Sequence, residues 1–448
     1  MIGFIVSIIC ILVVQATVAG AESYQLSLKD AIRMSVEQNH RVRAVGFSAE
    51  ASRKGVAIAT SRYYPTLAFE ESFNVSNSPT QTFMMKLDEG RFTQNDFLIT
   101  NLNRPETQHD FRTALAVRLP IYDPANAATR DIAVASADIQ ETRLVESQQQ
   151  TAFKVFSRYL DVQKAVSRLR AAEQAVTEAR EYLRIAGVRN QNGVGLRSDE
   201  LRARTQLSSN EQQRISADNN LTIARMELAS LIGLTEGDTL GITDTKIVAV
   251  PLLHSPEELC AAALENRTEL QLTRKEYEKA DASLRLATSA YFPSLDGFAS
   301  YQMNSHATPF GSDNDSWNAG VALTWQLFDG FKRSRERDRV IAEKSAAAEL
   351  QEDARREAVL RVRESLLRSE EMSKRLDVAA HTLQDAEETV RLVSRRYENS
   401  LATMLELIDA QTELNRIRAD LVDSEAHYAL ARGYVYYTAG IFLKEMTK

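Results

Sequence analysis

Residues 111–121 read Phe111-Arg112-Thr113-Ala114-Leu115-Ala116-Val117-Arg118-Leu119-Pro120-Ile121. Phe111, Thr113, Leu115, Val117, Leu119 and Ile121 fall on one face, against Arg112, Ala114, Ala116 and Arg118 on the other. That period of two is the signature of a β-strand. Three more stretches alternate in the same way. In 317–327, Trp317, Ala319, Val321, Leu323, Trp325 and Leu327 share a face. In 295–303, Leu295, Ala299, Tyr301 and Met303 oppose Asp296, Ser300 and Gln302, with Phe298 out of phase. In 67–75, Leu67, Phe69, Phe73 and Val75 oppose Glu70, Ser72 and Asn74, with Glu71 out of phase.

Strands of about 9–11 residues are long enough to cross a bilayer when tilted. Aromatic residues gather near their ends: Tyr63, Tyr64, Tyr122, Tyr291, Phe292, Phe328 and Phe331. Such residues suit a membrane–water interface. The competing reading is a soluble sheet packed on a core. If the strands span a membrane, four cannot close a barrel, because about eight are needed merely to enclose packed side chains. Open sheet edges are not tolerated in lipid. Several copies of the chain must then share one barrel.

Between the strands lie long helices. Leu169, Ala172, Val176, Ala179, Leu183 and Ala186 recur at steps of three and four, and so do Leu376, Ala379, Leu383, Ala386, Val390 and Val393. That spacing lays one apolar stripe against a partner helix. The two sets are offset by a constant 207, which also relates Gly193 to Ser400, Asp199 to Glu406 and Gly233 to Gly440. Upstream, Tyr63-Tyr64-Pro65-Thr66-Leu67 matches Tyr291-Phe292-Pro293-Ser294-Leu295, and Gln38-Asn39 matches Glu265-Asn266. The chain is a repeat of two halves, each reading helix, two strands, long helix, second helix. The expected boundaries are 22–232 and 256–448, with a linker at 233–255.

Composition fits this plan. The chain has 448 residues but only 17 Gly and 9 Pro, with no proline between Pro124 and Pro251 or after Pro309. Interior proline breaks a helix, so these runs are free to form long ones. A helix from Asp123 to about Ala186 would extend ~95 Å at 1.5 Å per residue. A mean hydropathy of -0.31 excludes a polytopic helical membrane protein. The net charge of -7 argues against a nucleic-acid surface. Two cysteines, Cys10 and Cys260, exclude a disulfide framework or a cysteine metal site. The six histidines lack metal-ligand spacing, and neither a Ser-His-Asp nor a phosphate-loop pattern occurs, so neither catalysis nor a cofactor is expected. Residues 1–21 are uncharged, and Ile2 to Val14 followed by Val18-Ala19-Gly20-Ala21 reads as a signal peptide.

With these motifs in place, the sequence resembles the TolC-type outer membrane efflux family from about Leu26 to Phe442. The resemblance is carried by the two-half order, the Tyr-Tyr-Pro and Tyr-Phe-Pro strand entries, the Leu327-Phe328-Asp329-Gly330 exit and the segment Tyr397 to Ala410. It implies a mainly α fold with a small β part: a long helical hairpin tunnel plus four transmembrane strands per protomer. Three copies would make a 12-stranded barrel and a periplasmic α-barrel. It implies a passive exit duct in the bacterial outer membrane. The implied partners are a periplasmic adaptor, an inner-membrane RND or ABC transporter and outer membrane lipid.

The resemblance also suggests site residues. Glu406 and Asp409 are three apart and share a helical face. In a trimer they would form two acidic rings, which attract cations and repel anions as charged rings do in channels. Tyr397 would hydrogen-bond across to Asp199 as a gate latch. Where the family often has an arginine this chain has Ala402, and Ser400 replaces the turn glycine, so Arg197 is the substitute cation to consider. The tips, with Gly193, Arg197, Ser400 and Thr403, are the expected partner contacts. A periplasmic adaptor or a coiled-coil scaffold without a channel is the alternative. An adaptor carries one hairpin, however, and a scaffold carries no period-two segments.

Overall fold

The computed structural model describes residues 23–234 and 239–446. The leader expected at 1–21, with Cys10, lies outside the described residues. In chain order they form β1 (Ser23–Leu26), α1 (Leu28–Gln38), α2 (His40–Ser61), β2 (Thr66–Ser76), α3 (Pro79–Asp88), α4 (Ile99–Asn103), β3 (Gln108–Tyr122), α5 (Pro124–Gln191) and α6 (Arg197–Ile232). There follow β4 (Thr239–Ile242), α7 (Pro256–Asn266), α8 (Thr268–Ser289), β5 (Ser294–Ser305), β6 (Asn314–Thr324), α9 (Lys332–Glu398), α10 (Met404–Thr438) and α11 (Phe442–Met446). Each half has the order read from the sequence, with its first helix broken in two.

The break sits at Asn39 in the first half and at Arg267 in the second, each in extended backbone with ψ 124 and 127. These positions are 228 apart, like Tyr63 and Tyr291. The sequence match of Gln38-Asn39 to Glu265-Asn266 was therefore one residue out of register. The reason is that the bend lies in the backbone, while the groups that satisfy it differ. Asn39 Nδ2 donates to the Leu231 carbonyl at 2.8 Å and its Oδ1 accepts from the Arg41 amide. Arg267 instead donates to Glu269.

The chain divides into two compact units that cut across the repeat halves. Of the described residues, one takes those up to Arg43, those between Ser147 and Glu265 and those from Val359 to Met446; the other takes Ala44–Glu146 and Asn266–Ala358. In the first unit, Phe156, Tyr159, Leu228, Ile232, Tyr436 and Phe442 are fully buried. Burying each such side chain contributes about 1.5–3 kcal/mol. Gly433 permits the close approach: a Cβ there would lie 2.2 Å from the Phe156 ring. The linker follows these helices. β4 pairs in parallel with β1. Gln163 Nε2 donates to the carbonyls of Asp244 and Lys246 at 2.7 and 2.9 Å, and the Tyr436 hydroxyl donates to Pro251 at 2.6 Å.

The second unit holds a four-stranded antiparallel sheet in the order β2-β3-β5-β6. Its register brings the apolar residues of all four strands onto one face: Phe69 pairs with Leu115, Leu115 with Tyr301, and Tyr301 with Trp317. The two out-of-phase residues have partners of their own. Phe298 lies against Gly320, where a Cβ would meet its ring at 2.8 Å. Glu71 accepts from the Thr113 hydroxyl at 2.5 Å. The apolar face is bare: Trp317 is 77% exposed, Leu67 66% and Leu323 65%. A sheet packed on a soluble core would bury these residues. Among the described residues β2 and β6 each pair on one side only.

The last strand ends at Thr324, short of the expected Leu327. Arg333 explains the early exit. Its guanidinium donates to the carbonyls of Gln326, Leu327 and Ala290, at 2.6, 3.0 and 3.2 Å. These groups are satisfied by a side chain, so no ladder forms. No helix among the described residues is long and apolar enough to cross a membrane.

Candidate functional site

The expected site lies at the two hairpin tips, α5–α6 and α9–α10, both in the first unit. The tips carry the same backbone turn. Gly193 N donates to Asn190 O and Val194 N to Arg189 O; 207 residues later, Ser400 N donates to Tyr397 O and Leu401 N to Arg396 O. This is the Schellman closure, in which a residue in the left-handed region ends the helix. Gly193 takes that conformation at φ 76 and Ser400 at φ 59. A residue with a Cβ is strained there by about 1–2 kcal/mol.

Arg189 offsets that strain. It reaches from the end of α5 to the end of α9, where Nη2 donates to Ser400 Oγ at 2.6 Å. Its Nη1 donates to the carbonyls of Glu398 and Tyr397 at 3.0 and 3.3 Å. The guanidinium carbon stands 5.1 Å from the centre of the Tyr397 ring. A cation suits the negative end of a helix dipole. One side chain of the first repeat thus caps the long helix of the second. The sequence reading missed it, although the 207 offset pairs Arg189 with Arg396 and so marks an arginine at both tips. Arg396 stays within its own tip, donating to Leu401 O at 3.2 Å.

Arg197, considered as the substitute cation, does not reach the other hairpin. It pairs with Glu200 three residues on, which also accepts from Asn190 and Arg204. Glu200 is held below its ordinary carboxyl value chiefly by the Arg197 hydrogen bond.

Tyr397 is buried against Ala186, Ala203, Met404 and Leu407, an apolar plug shared by the two hairpins. Burial pushes its phenol up, and the Asp199 carboxylate adds to that shift. The expected latch partners are therefore in electrostatic range, although no hydrogen bond joins them among the described residues. Further along, Glu178 on α5 accepts from Arg418 Nη1 at 3.1 Å and from Gln411. Gln411 in turn accepts from the Tyr182 hydroxyl at 3.2 Å, tying α5 to α10.

Thr403 and Glu406 form a capping box at the start of α10. Glu406 N donates to Thr403 Oγ1 at 3.2 Å, and Thr403 N donates to Glu406 Oε2 at 3.4 Å. Thr403 thus has a structural task inside its own chain. Glu406 and Asp409 lie together on an exposed face of α10, opposite buried Met404, Leu407 and Gln411. Neither is paired with a cation among the described residues.

This geometry can be set beside known proteins. A family profile described as outer membrane efflux protein matches residues 31–234 and 259–438. The proteases secretion protein PrtF of Dickeya chrysanthemi is 20% identical over 444 residues, covering 96% of this chain and 91% of that protein. The CmeC outer membrane channel of Campylobacter jejuni superposes with a TM-score of 0.76 at 15% identity, covering 94% of this chain and 89% of that one. The MtrE outer membrane channel of Neisseria gonorrhoeae, solved in its open state, gives 0.75 at 18% identity, covering 94% and 90%. An outer membrane location and a part in export follow from a profile spanning most of the sequence: the chain belongs to the outer membrane efflux protein family.

Proposed function

We propose that three copies of this chain form the passive exit duct of a tripartite efflux or type I secretion system. The observation that carries this reading is the sheet. Four strands with an exposed apolar face and two unpaired edges cannot rest in lipid alone, because every backbone group there must be satisfied. Three copies edge to edge give a 12-stranded barrel and remove all edges. Each chain brings two coupled repeats, 22–232 and 256–448 around the linker 233–255, and their long helices are the remainder of the duct. Residues 1–21 serve as the export signal. A periplasmic adaptor and an inner-membrane RND or ABC transporter are the partners, meeting the tips around Gly193, Arg197, Ser400 and Thr403. The duct catalyses no reaction and binds no nucleic acid.

Glu406 and Asp409, paired with no cation among the described residues, supply the acidic rings of the constriction. Tyr397, Asp199 and Arg189 fasten the hairpins that set its width. The test is conductance in a planar bilayer. Heat-labile trimers should form in detergent, and Glu406→Ala with Asp409→Ala should lower cation selectivity several-fold. A monomer in outer membrane extracts would reject the duct, and unchanged selectivity would reject the constriction.

A further inference from the structure

The strand ends around His109 and Ser305 carry a buried ionisable cluster that neither the tips nor the sheet edges use. Between β2 and β3, residues 77–107 fold into a small body of their own. The rings of Phe83, Phe92 and Phe97 pack edge to face at 4.6–6.4 Å, and Lys86 pairs with Asp96 at 2.7 Å. That body rests on the sheet through Glu89, which caps the end of α3. The Glu89 side chain is 0% exposed. Its Oε2 accepts from Arg91 Nη1 at 2.8 Å and lies 3.6 Å from His306 Nδ1. Its Oε1 is buried with no hydrogen-bond partner among the described residues. The His306 ring stacks on His109 with centroids 4.0 Å apart, and its Nδ1 is 3.1 Å from the His109 carbonyl.

The surroundings are rich in acid. Asp110 is buried and accepts from Asn304 Nδ2 at 2.9 and 3.1 Å. Asp88 and Glu71 face it, with Arg112 as the nearby cation. Asp313 accepts from the His306 amide at 2.8 Å and from Ser305 Oγ at 3.1 Å. Glu71, Asp88, Glu89, Asp110 and Asp313 thus stand against Arg91 and Arg112. Asp88 and Glu89 also sit at the negative end of the α3 dipole, where a carboxylate is disfavoured. No group of three or more acid, histidine or cysteine side chains among the described residues is disposed to hold a metal ion. The positive charge this cluster lacks can be supplied as a proton on the buried Glu89 carboxyl, whose Oε1 has no hydrogen-bond partner among the described residues.

The geometry points to a proton-fastened flap: residues 77–107 dock on the ends of β3 and β5 through Glu89, His109 and His306, and hold more tightly as the external pH falls. The word external rests on the duct reading; the docking itself does not. Burial, the largest cause, raises the Glu89 carboxyl above its ordinary value. The docked flap therefore binds a proton more readily than the free one. Its docking is strongest below the ordinary carboxyl range and is lost as pH rises through the raised value. Protonating an imidazole acts in the same direction, adding positive charge beside an excess of carboxylates. Two more contacts fasten the flap and its neighbouring loop. Asn314 Nδ2 donates to the Asp88 carbonyl at 3.1 Å, and the Phe310 amide donates to Glu71 while Phe310 sits at φ 58.

Hydrogen exchange of the full-length protein in lipid nanodiscs, corrected for intrinsic rates, tests this directly. Protection of amides 83–98 should be about tenfold higher at pH 5.5 than at pH 7.5, as expected for linked uptake averaging about half a proton across that range. Glu89→Gln, which mimics the protonated acid, should bring protection at pH 7.5 close to the acid value. His109→Gln with His306→Gln should shrink the remaining pH response. Amides of β3 and β5 in the same samples report whether each variant is folded. Equal protection at both pH values in the wild type would overturn the proposal, as would an unchanged pH response in the folded triple variant. Either result leaves the duct intact, since trimer formation and conductance are measured separately.

Discussion

The two hairpin tips have one backbone and two chemistries. The first tip makes its left-handed turn with Gly193, which needs no support. The second makes the same turn with Ser400 and is held by Arg189 from the first. The helix starts differ in the opposite sense. Leu196 gives α6 no side-chain cap, whereas Thr403 gives α10 a full capping box. The repeat carries the same turn twice, and the second tip depends on a side chain of the first. The asymmetry lets a single side chain couple two long helices.

Breaking that coupling should give the largest effect. Arg189→Ala removes three hydrogen bonds and leaves Ser400 strained. Hydrogen bonds to a charged group contribute about 1.5–3 kcal/mol, so the tip should open roughly 10- to 100-fold more often. Exchange of amides 397–404 and channel conductance would both rise. Lys should not restore it, since an ammonium cannot span three acceptors as a guanidinium does. Next comes the core beneath the tips' helices. Gly433→Ala forces Phe156 aside and should cost about 1–3 kcal/mol in thermal stability, with the tip amides little changed.

The glycine and serine can be tested against each other. Gly193→Ala should cost about 1–2 kcal/mol at its own tip. Ser400→Gly should be close to neutral in the wild type, where lost strain offsets the lost Arg189 contact. In the Arg189→Ala background it should stabilise. The double-mutant cycle measures that coupling, and additive effects would contradict the support assigned to Arg189. The smallest effect separates the helix starts: Thr403→Ala should cost about 1 kcal/mol at the second tip. Leu196→Ala should cost nothing through capping at the first.

Much of the fold was legible because its signals are local. Alternation marked the strands, and the 207 offset placed both tips at the correct residues. The end of β6 was not legible, because whether a backbone carbonyl joins a ladder or meets Arg333 depends on a residue six or seven positions away. The helix break at Arg267 was missed by one residue, because the backbone bend recurs while the residues that satisfy it do not. At the site, Glu406 and Asp409 were read correctly as sharing a face. The capping role of Glu406 was implicit in the Thr403-x-x-Glu406 spacing. Arg189 was hidden because its partners lie more than 200 residues away.

By itself the sequence determined the periods, the repeat and the four strands of the antiparallel sheet, since each follows from side chains a few positions apart along one chain. The tertiary structure alone decided which side chains meet: Arg189 with Ser400, Phe156 with Gly433, Glu89 with His306. Those contacts join distant segments, and their strength depends on burial, on helix dipoles and on distances of about 3 Å that no spacing along the chain encodes.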